Sequence, residues 1–330
     1  MSFIEKMWFQ PTPTYMIIKW LFLPFMLLFW LIALIRRWGY QAGWLKSHEV
    51  PVPVIIVGNI SVGGNGKTPL VVYLANWLVD NGYKPGILSR GYGGKSSFYP
   101  AGVDAQSDAK KVGDEPILIK QRVTCPVVVD PKRPRGAKYL VDKYHCNIIL
   151  CDDGLQHYAL SRDIEIVVVD GTRRHGNTWL LPMGPLRESE TRLASVDYVI
   201  NNGGPIKNNE ILMEIMPDDL INVSDVSKSS LLTALNDEVT AVAAIGNPQR
   251  FFSLLEKHQV SLKETRSFID HYQFTQEDFP EGTIVMTEKD AVKCRNIAKN
   301  TWWFLPIRAE LPDSFLGHLK TQIESIQKEK

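Results

Sequence analysis

Several patterns that mark large protein classes are missing from this chain. Its 330 residues hold four cysteines, Cys125, Cys146, Cys151 and Cys294, and no two of them form a C-x-x-C pair. That spacing argues against a zinc knuckle or a disulfide framework and fits a reducing compartment, with core packing as the cysteines' role. Charge of one sign is not in excess. The 37 basic and 36 acidic residues give a formal net charge of +1, so the chain has no global nucleic-acid footprint. Internal repeats and low-complexity tracts are also absent. What remains is a chain long enough for two domains, each with its own core.

The first positive signal is a phosphate loop in context. Val52-Pro53-Val54-Ile55-Ile56-Val57 is a continuous apolar run that predicts a buried strand. Gly58-Asn59-Ile60-Ser61-Val62-Gly63-Gly64-Asn65-Gly66-Lys67-Thr68 comes next. Leu70, Tyr73, Leu74, Trp77 and Leu78 then share one helical face, and Pro69 suits a first turn, where its missing N–H leaves no bond unmade. Glycines let successive N–H groups point inward, and the helix start adds partial positive charge. Ser61, Val62, Gly63, Gly64, Asn65, Gly66, Lys67 and Thr68 form the predicted nucleotide-binding segment. Lys67 is to reach the β- and γ-phosphates of ATP, and Thr68 to ligate Mg²⁺. The first glycine of the generic G-x-x-x-x-G-K-[ST] pattern is Ser61 here, so Gly63 and Gly64 carry the flexibility.

One hydrophobic run is long. Residues 20–35 carry no charge and lie between Lys19 and Arg36-Arg37. As a helix these residues rise about 24 Å, short of a hydrocarbon core of about 30 Å. Adding residues 15–18 lengthens the run if Lys19 snorkels. The Arg-Arg ending and the lack of a small-residue cleavage site disfavour a signal peptide. A single span or a deep in-plane anchor is expected, with a buried core helix as the alternative. Trp8, Trp20, Trp30, Trp38 and Trp44 suit interfacial anchoring. Arg36, Arg37 and Lys46 place the domains C-terminal to them in the cytoplasm.

Strand-like runs recur downstream at residues 84–89, 127–130, 147–152, 164–169 and 196–201. Strand–helix alternation of this kind predicts a P-loop NTPase-like, doubly wound, mostly parallel sheet. Asn147-Ile148-Ile149-Leu150-Cys151-Asp152-Asp153 reads as a Walker B strand whose acids orient Mg²⁺ or its waters. Gly113-Asp114-Glu115-Pro116 places two acids at a helix start, where they act either as caps or as the acceptor of a hydroxyl proton. Pro131-Lys132-Arg133-Pro134-Arg135 is either a solvated cationic turn or an anion site. Arg90, in Arg90-Gly91-Tyr92-Gly93-Gly94, comes after a strand and suits a cleft loop. Periodicity weakens between residues 206 and 237, and a smaller α/β unit succeeds it. In that unit Asp270-His271 is either a buried polar pair or half of a catalytic one. The domains are expected at 1–48 (apolar anchor), 49–235 (P-loop core) and 236–330 (smaller α/β domain).

Taken in order, these segments resemble the tetraacyldisaccharide 4'-kinases of lipid A biosynthesis. The matches are residues 58–69, Leu88-Ser89-Arg90-Gly91-Tyr92-Gly93, residues 113–116, and Asp152-Asp153-Gly154-Leu155-Gln156-His157. Residues 181–188, Ile245-Gly246-Asn247-Pro248 with Arg250-Phe251-Phe252, and Thr287-Glu288-Lys289-Asp290-Ala291-Val292 complete the series. Ser61 agrees with the family pattern. The resemblance implies transfer of the ATP γ-phosphate to the 4'-hydroxyl of a membrane-borne tetraacyldisaccharide 1-phosphate, giving lipid IV-A. It implies Asp114 as base, assisted by His271, and acceptor contacts from Arg187, Glu188 and Arg133, with Asn59 and Arg90 as further candidates. The metal candidates are Thr68, Asp152, Asp153 and Glu115. The expected setting is the bacterial inner membrane, with the catalytic domains on its cytoplasmic face and no obligate protein partner. Two other readings compete: a membrane-anchored ATPase or GTPase driving a partner, and a scaffold that binds nucleotide for stability.

Overall fold

The computed structural model describes residues 3–330 apart from 11, 208, 233, 234, 236, 237 and 271. The chain starts with α1 (Phe3–Phe9) and α2 (Pro13–Ile18), then passes through a 3-10 turn at Lys19–Phe22 into α3 (Leu23–Gln41). Pro13–Gln41 is helical over 29 residues, and its most apolar stretch has a mean hydropathy of 2.3, long and apolar enough to cross a membrane. The helix is longer than the uncharged run. Within residues 20–35 only Met26 is buried, which removes the core-helix alternative.

A nine-stranded sheet comes next. Its first part runs through β1 (Val54–Gly58), α4 (Lys67–Asp80), β2 (Pro85–Ser89), β3 (Ala101–Gly102), α5 (Ala109–Val112) and α6 (Asp114–Arg122). It continues through β4 (Val127–Val129), α7 (Arg133–Tyr144), β5 (Ile148–Asp152), β6 (Ile164–Asp170), β7 (Tyr198–Asn202) and β8 (Glu210–Pro217). A second, six-stranded sheet holds β9 (Leu220–Asn222), β10 (Ser229–Ser230) and β11 (Val239–Ala243). After α8 (Pro248–Lys257) come β12 (Leu262–Ser267), β13 (Ile284–Thr287), α9 (Glu288–Cys294) and β14 (Trp302–Leu305). The chain then returns to the first sheet with β15 (Ile307–Glu310) and ends in α10 (Asp313–Glu329).

The first sheet has the order β15-β8-β7-β6-β1-β5-β2-β4-β3, parallel except at its edges β3 and β15. Every residue of β1, β2, β5 and β6 is buried, because helices cover both faces. Leu70 and Leu74 of α4 pack on one face with Leu319 of α10; Ala137 and Leu140 of α7 pack on the other. That double cover is why these strands read as unbroken apolar runs. The exception, Glu165, is buried in β6 but held by Arg192 at 2.5 Å and Arg162 at 3.1 Å. The central β1 has β5 and β6 as its neighbours, so Gly58 and Asp152 end side by side at the strand switch, where ligands of open α/β sheets bind, and β6 runs on past them to Asp170.

We propose that the two sheets are the cores of two lobes, between which the chain crosses after β8 and again before β15. In this division β9 and β10 precede residue 236 yet pair in the second sheet, and β15 and α10 come after it yet pack with the first.

Candidate active site

The phosphate loop is braced from several sides. The Asn65 side chain donates to Ser61 Oγ at 2.9 Å, and Asn202, at the end of β7, donates to the Asn65 carbonyl at 2.9 Å. Val62 N–H reaches the Pro185 carbonyl at 2.9 Å. Gly66 caps α4 with φ +90°, a left-handed conformation that glycine adopts without cost, and a Cβ there would stand 1.9 Å from Asn202 Nδ2. The loop amides and the start of the 14-residue α4 therefore face one space, with Lys67 and Thr68 in its first turn.

Two cavities meet beside this loop. A cavity of about 230 Å³ is lined by residues 63–69, Arg122 and Asn202, with Arg250, Asp270 and Lys289 from the second lobe. A larger one, about 590 Å³, opens between the strand ends and α3; Trp30, Arg36, Arg90, Arg133, His157 and Arg187 are among its walls. Glu115 lines both.

The electrostatics at the junction are unbalanced. Asp152, at the end of β5, accepts from Ser89 Oγ at 3.2 Å. Its carboxyl is pushed up to about 6 by burial and by neighbouring Glu115 and Asp153. Burial alone would raise Asp153 too, but Lys67 at 3.7 Å and Arg187 at 3.1 Å outweigh it and hold this carboxyl well below the usual range. Arg133, at the start of α7, is 2% exposed; it donates to the carbonyls of Leu88 and Asp152, and its Nε has no hydrogen-bond partner. It is no solvated turn residue. Burial lowers the pKa of Arg133, and burial with the Arg133 and Arg90 charges pushes His157 down to about 3, so its imidazole is neutral.

The remaining predicted residues fall in different places. Arg90, Arg187 and Glu188 line the larger cavity; Glu188 accepts from Gln156 and Tyr158, each at 2.7 Å. Asn59 is fully buried beneath the loop, lines neither cavity, and neither of its side-chain polar atoms has a hydrogen-bond partner. Asp114 is buried at the first position of α6, where Oδ1 accepts the Glu115 N–H at 3.0 Å, and it too lines neither cavity. His271 lies outside the described residues; its neighbour Asp270 sits 3.1 Å from Lys289. Sequence reasoning gave no role to His157, Gln156, Tyr92 or Lys289, although all four stand in the matched segments. Asn202 and Arg250 were likewise unassigned, Asn202 because it stands at a strand end far from any motif.

The lobes join across the nucleotide side. Asn247 donates to Asp170 at 3.0 Å, Arg173 to the Gly246 carbonyl at 2.7 Å, and Arg250 to the Asn202 carbonyl.

A phosphate loop on a central parallel strand, with an acid pair closing the neighbouring strand, is the architecture of a P-loop kinase. The family model described as tetraacyldisaccharide-1-P 4'-kinase matches residues 18–324. A tetraacyldisaccharide 4'-kinase of Pseudoalteromonas atlantica is 53% identical over 305 residues, 92% of this chain and 100% of that protein. The enzyme of that name from Tolumonas auensis is 47% identical over 98% of both chains. A crystal structure of LpxK from Aquifex aeolicus in complex with ATP is similar with a TM-score of 0.75 and 29% identity, over 93% of this chain and 99% of that one. The chain belongs to the tetraacyldisaccharide 4'-kinase family.

Proposed function

We propose that this chain transfers the γ-phosphate of ATP to the 4'-hydroxyl of tetraacyldisaccharide 1-phosphate, forming lipid IV-A at the cytoplasmic face of the bacterial inner membrane. The observation that carries the reading is the meeting of two cavities at one acidic wall. One is built from the phosphate loop, and the other opens onto an apolar helix long enough to enter a bilayer. Such a junction keeps acyl chains in the membrane while the sugar hydroxyl reaches the nucleotide. The chain's relatives carry this activity in their names, and the similar crystal structure is an ATP complex.

In the proposed mechanism the loop amides and Lys67 hold the β- and γ-phosphates. Asp114, one residue from the junction, takes the proton of the acceptor hydroxyl, assisted by His271, once further closure of the second lobe brings its carboxylate to the acceptor. Arg133 and Arg187 hold anionic groups of the acceptor, a task for a planar fork, while Arg90, Glu188 and Asn59 shape that side of the site.

The donor set fits Mg²⁺. Buried Asp152 and part-exposed Glu115 bring negative charge to the junction, and the Thr68 hydroxyl and Asp153 would complete a hard-oxygen set. Among the described residues no group of three or more His, Cys, Asp or Glu could hold a metal ion by itself, so water and phosphate oxygens would have to supply the remaining ligands. Bound there, Mg²⁺ supplies charge neutralisation for the transferring phosphate.

The test is a detergent-micelle assay with γ-labelled ATP, Mg²⁺ and tetraacyldisaccharide 1-phosphate. Label in a bis-phosphorylated lipid, lost with Lys67→Ala, is the expected result. Label released only as free phosphate would move the reading to an ATPase.

A further inference from the structure

Glu115 forms part of both cavity walls, and its own lobe does not hold it alone. Lys289, the second residue of α9, reaches over from the other lobe and places Nζ 2.9 Å from Glu115 Oε1 and 3.1 Å from Asp270 Oδ1. Its side chain is 12% exposed, so two carboxylates close around a nearly buried ammonium. Burial by itself would lower the pKa of this group. Glu115, Asp270 and Asp114 outweigh that effect and raise it, so Lys289 stays charged throughout the working pH range.

The neighbours of Lys289 show how firmly the ammonium is aimed. Asp290 is buried and ties α9 to its own sheet by accepting the Ala244 N–H at 2.9 Å and the Thr287 hydroxyl at 2.7 Å. Glu288 meets Arg122, the last residue of α6, at 3.4 Å. The start of α9 therefore grips α6 at both ends: Glu288 on Arg122, Lys289 on Glu115. Only the second grip lies where the two cavities meet, one residue from Asp114.

We infer that Lys289 is a positioning residue for phosphoryl transfer: carried by the second lobe, it clamps Glu115 where the two cavities meet and so fixes the start of α6, with Asp114 one residue from that junction. The inference rests on the kinase reading above. It assigns a task to Thr287-Glu288-Lys289-Asp290 that the nucleotide cavity alone does not require. Lobe closure and base placement become one event, because one of the residues that join the lobes also sets the helix carrying the base.

Lys289→Met, Lys289→Arg, Glu115→Gln and the double variant Lys289→Met/Glu115→Gln test it in the micelle assay, with KM for ATP and Tm read alongside. Lys289→Met is expected to lower kcat about 100-fold, the effect of a misplaced reacting group, while KM for ATP stays within about threefold. Lys289→Arg keeps the charge and recovers most of the rate. The double variant is no slower than Glu115→Gln, because Lys289 acts through Glu115. The arginine variant keeps a cation for both carboxylates, and the double variant leaves only Asp270, whose side chain is 38% exposed, without one, so they report even if Lys289→Met folds poorly. Full product formation by Lys289→Met overturns the assignment, and so does a rate loss in the double variant that equals the product of the single losses. In either case the wild type still makes lipid product, so the kinase reading stands. A wild type that makes no phosphorylated lipid overturns both.

Discussion

Replacing Gly66 by alanine asks whether the phosphate loop owes its shape to the residues packed around it. Two costs arise at once. Alanine at φ +90° loses about 1–2 kcal/mol in the left-handed region. Its Cβ would stand 1.9 Å from Asn202 Nδ2, so that amide must swing away and give up its 2.9 Å bond to the Asn65 carbonyl. A buried carbonyl left without its donor costs about 1–3 kcal/mol. The sum, about 2–5 kcal/mol, is evaded if the loop leaves its phosphate-binding shape, so the loss appears in affinity more than in stability. ATP binding measured by calorimetry is expected to weaken about 30- to 4,000-fold, with Tm little changed. Asn202→Ala alone should cost only the lost bond. The double variant should bind no worse than Gly66→Ala, because its two defects are the same two. Affinity losses that simply multiply, or normal ATP binding by Gly66→Ala, would refute the reasoning.

The neutral His157 predicts an acid weakness. Its folded pKa of about 3 lies below the unfolded value of 6.5, so between those limits the unfolded chain binds a proton that the folded chain does not. Stability therefore falls as pH drops, by about 1.4 kcal/mol per unit from this group. His157→Gln should flatten the profile of Tm against pH between pH 6 and 4, and parallel profiles would contradict it. On α3, Leu27 and Leu31 are exposed and lie outside the acceptor cavity. Leu27→Arg/Leu31→Arg should cost about 2.5–3.5 kcal/mol per residue in a bilayer. Flotation with vesicles should fall sharply while ATP binding holds; unchanged flotation would mean that this face does not enter the membrane.

What was legible in the sequence is what the chain places side by side. Val54–Gly58, the loop and α4 are contiguous, so strand, glycines and Gly-Lys-Thr are read in one window. The acid pair Asp152-Asp153 at the end of β5 is legible for the same reason. Arg133 shows the limit. Solvated turn and anion site were equally consistent with Pro131-Lys132-Arg133, and burial of the guanidinium against Leu88 and Asp152 removes the solvated turn. The strands β8 and β12 escaped notice because neither alternates cleanly. β8 is half-buried along most of its length, and β12 is an edge strand with mostly exposed side chains. Lys289 escaped for a different reason: its partner Glu115 lies 174 residues away, a separation that no local window spans.

The same long-range logic bears on the N-terminal arm, which reads in sequence as an anchor joined to an enzyme. In the fold it is keyed to the site. Trp8 donates to the Pro182 carbonyl at 2.9 Å, and the Trp8 carbonyl accepts the Asn177 N–H at 2.9 Å. Both partners belong to the segment that ends in Arg187 and Glu188. Phe9 lies 4.1 Å beneath the Arg173 guanidinium, the same group that donates to Gly246 in the second lobe. A Cβ on Gly63 would stand 2.8 Å from that guanidinium, so the phosphate loop passes directly against it. Arg173 thus touches the arm, the phosphate loop and the second lobe at once. An anchor held only by a flexible tether would leave the acceptor cavity free to tumble over the bilayer. Contacts from α1 to the loop bearing Arg187 instead fix the angle at which the cavity meets α3, which the proposed acceptor, with its acyl chains in the membrane, would require.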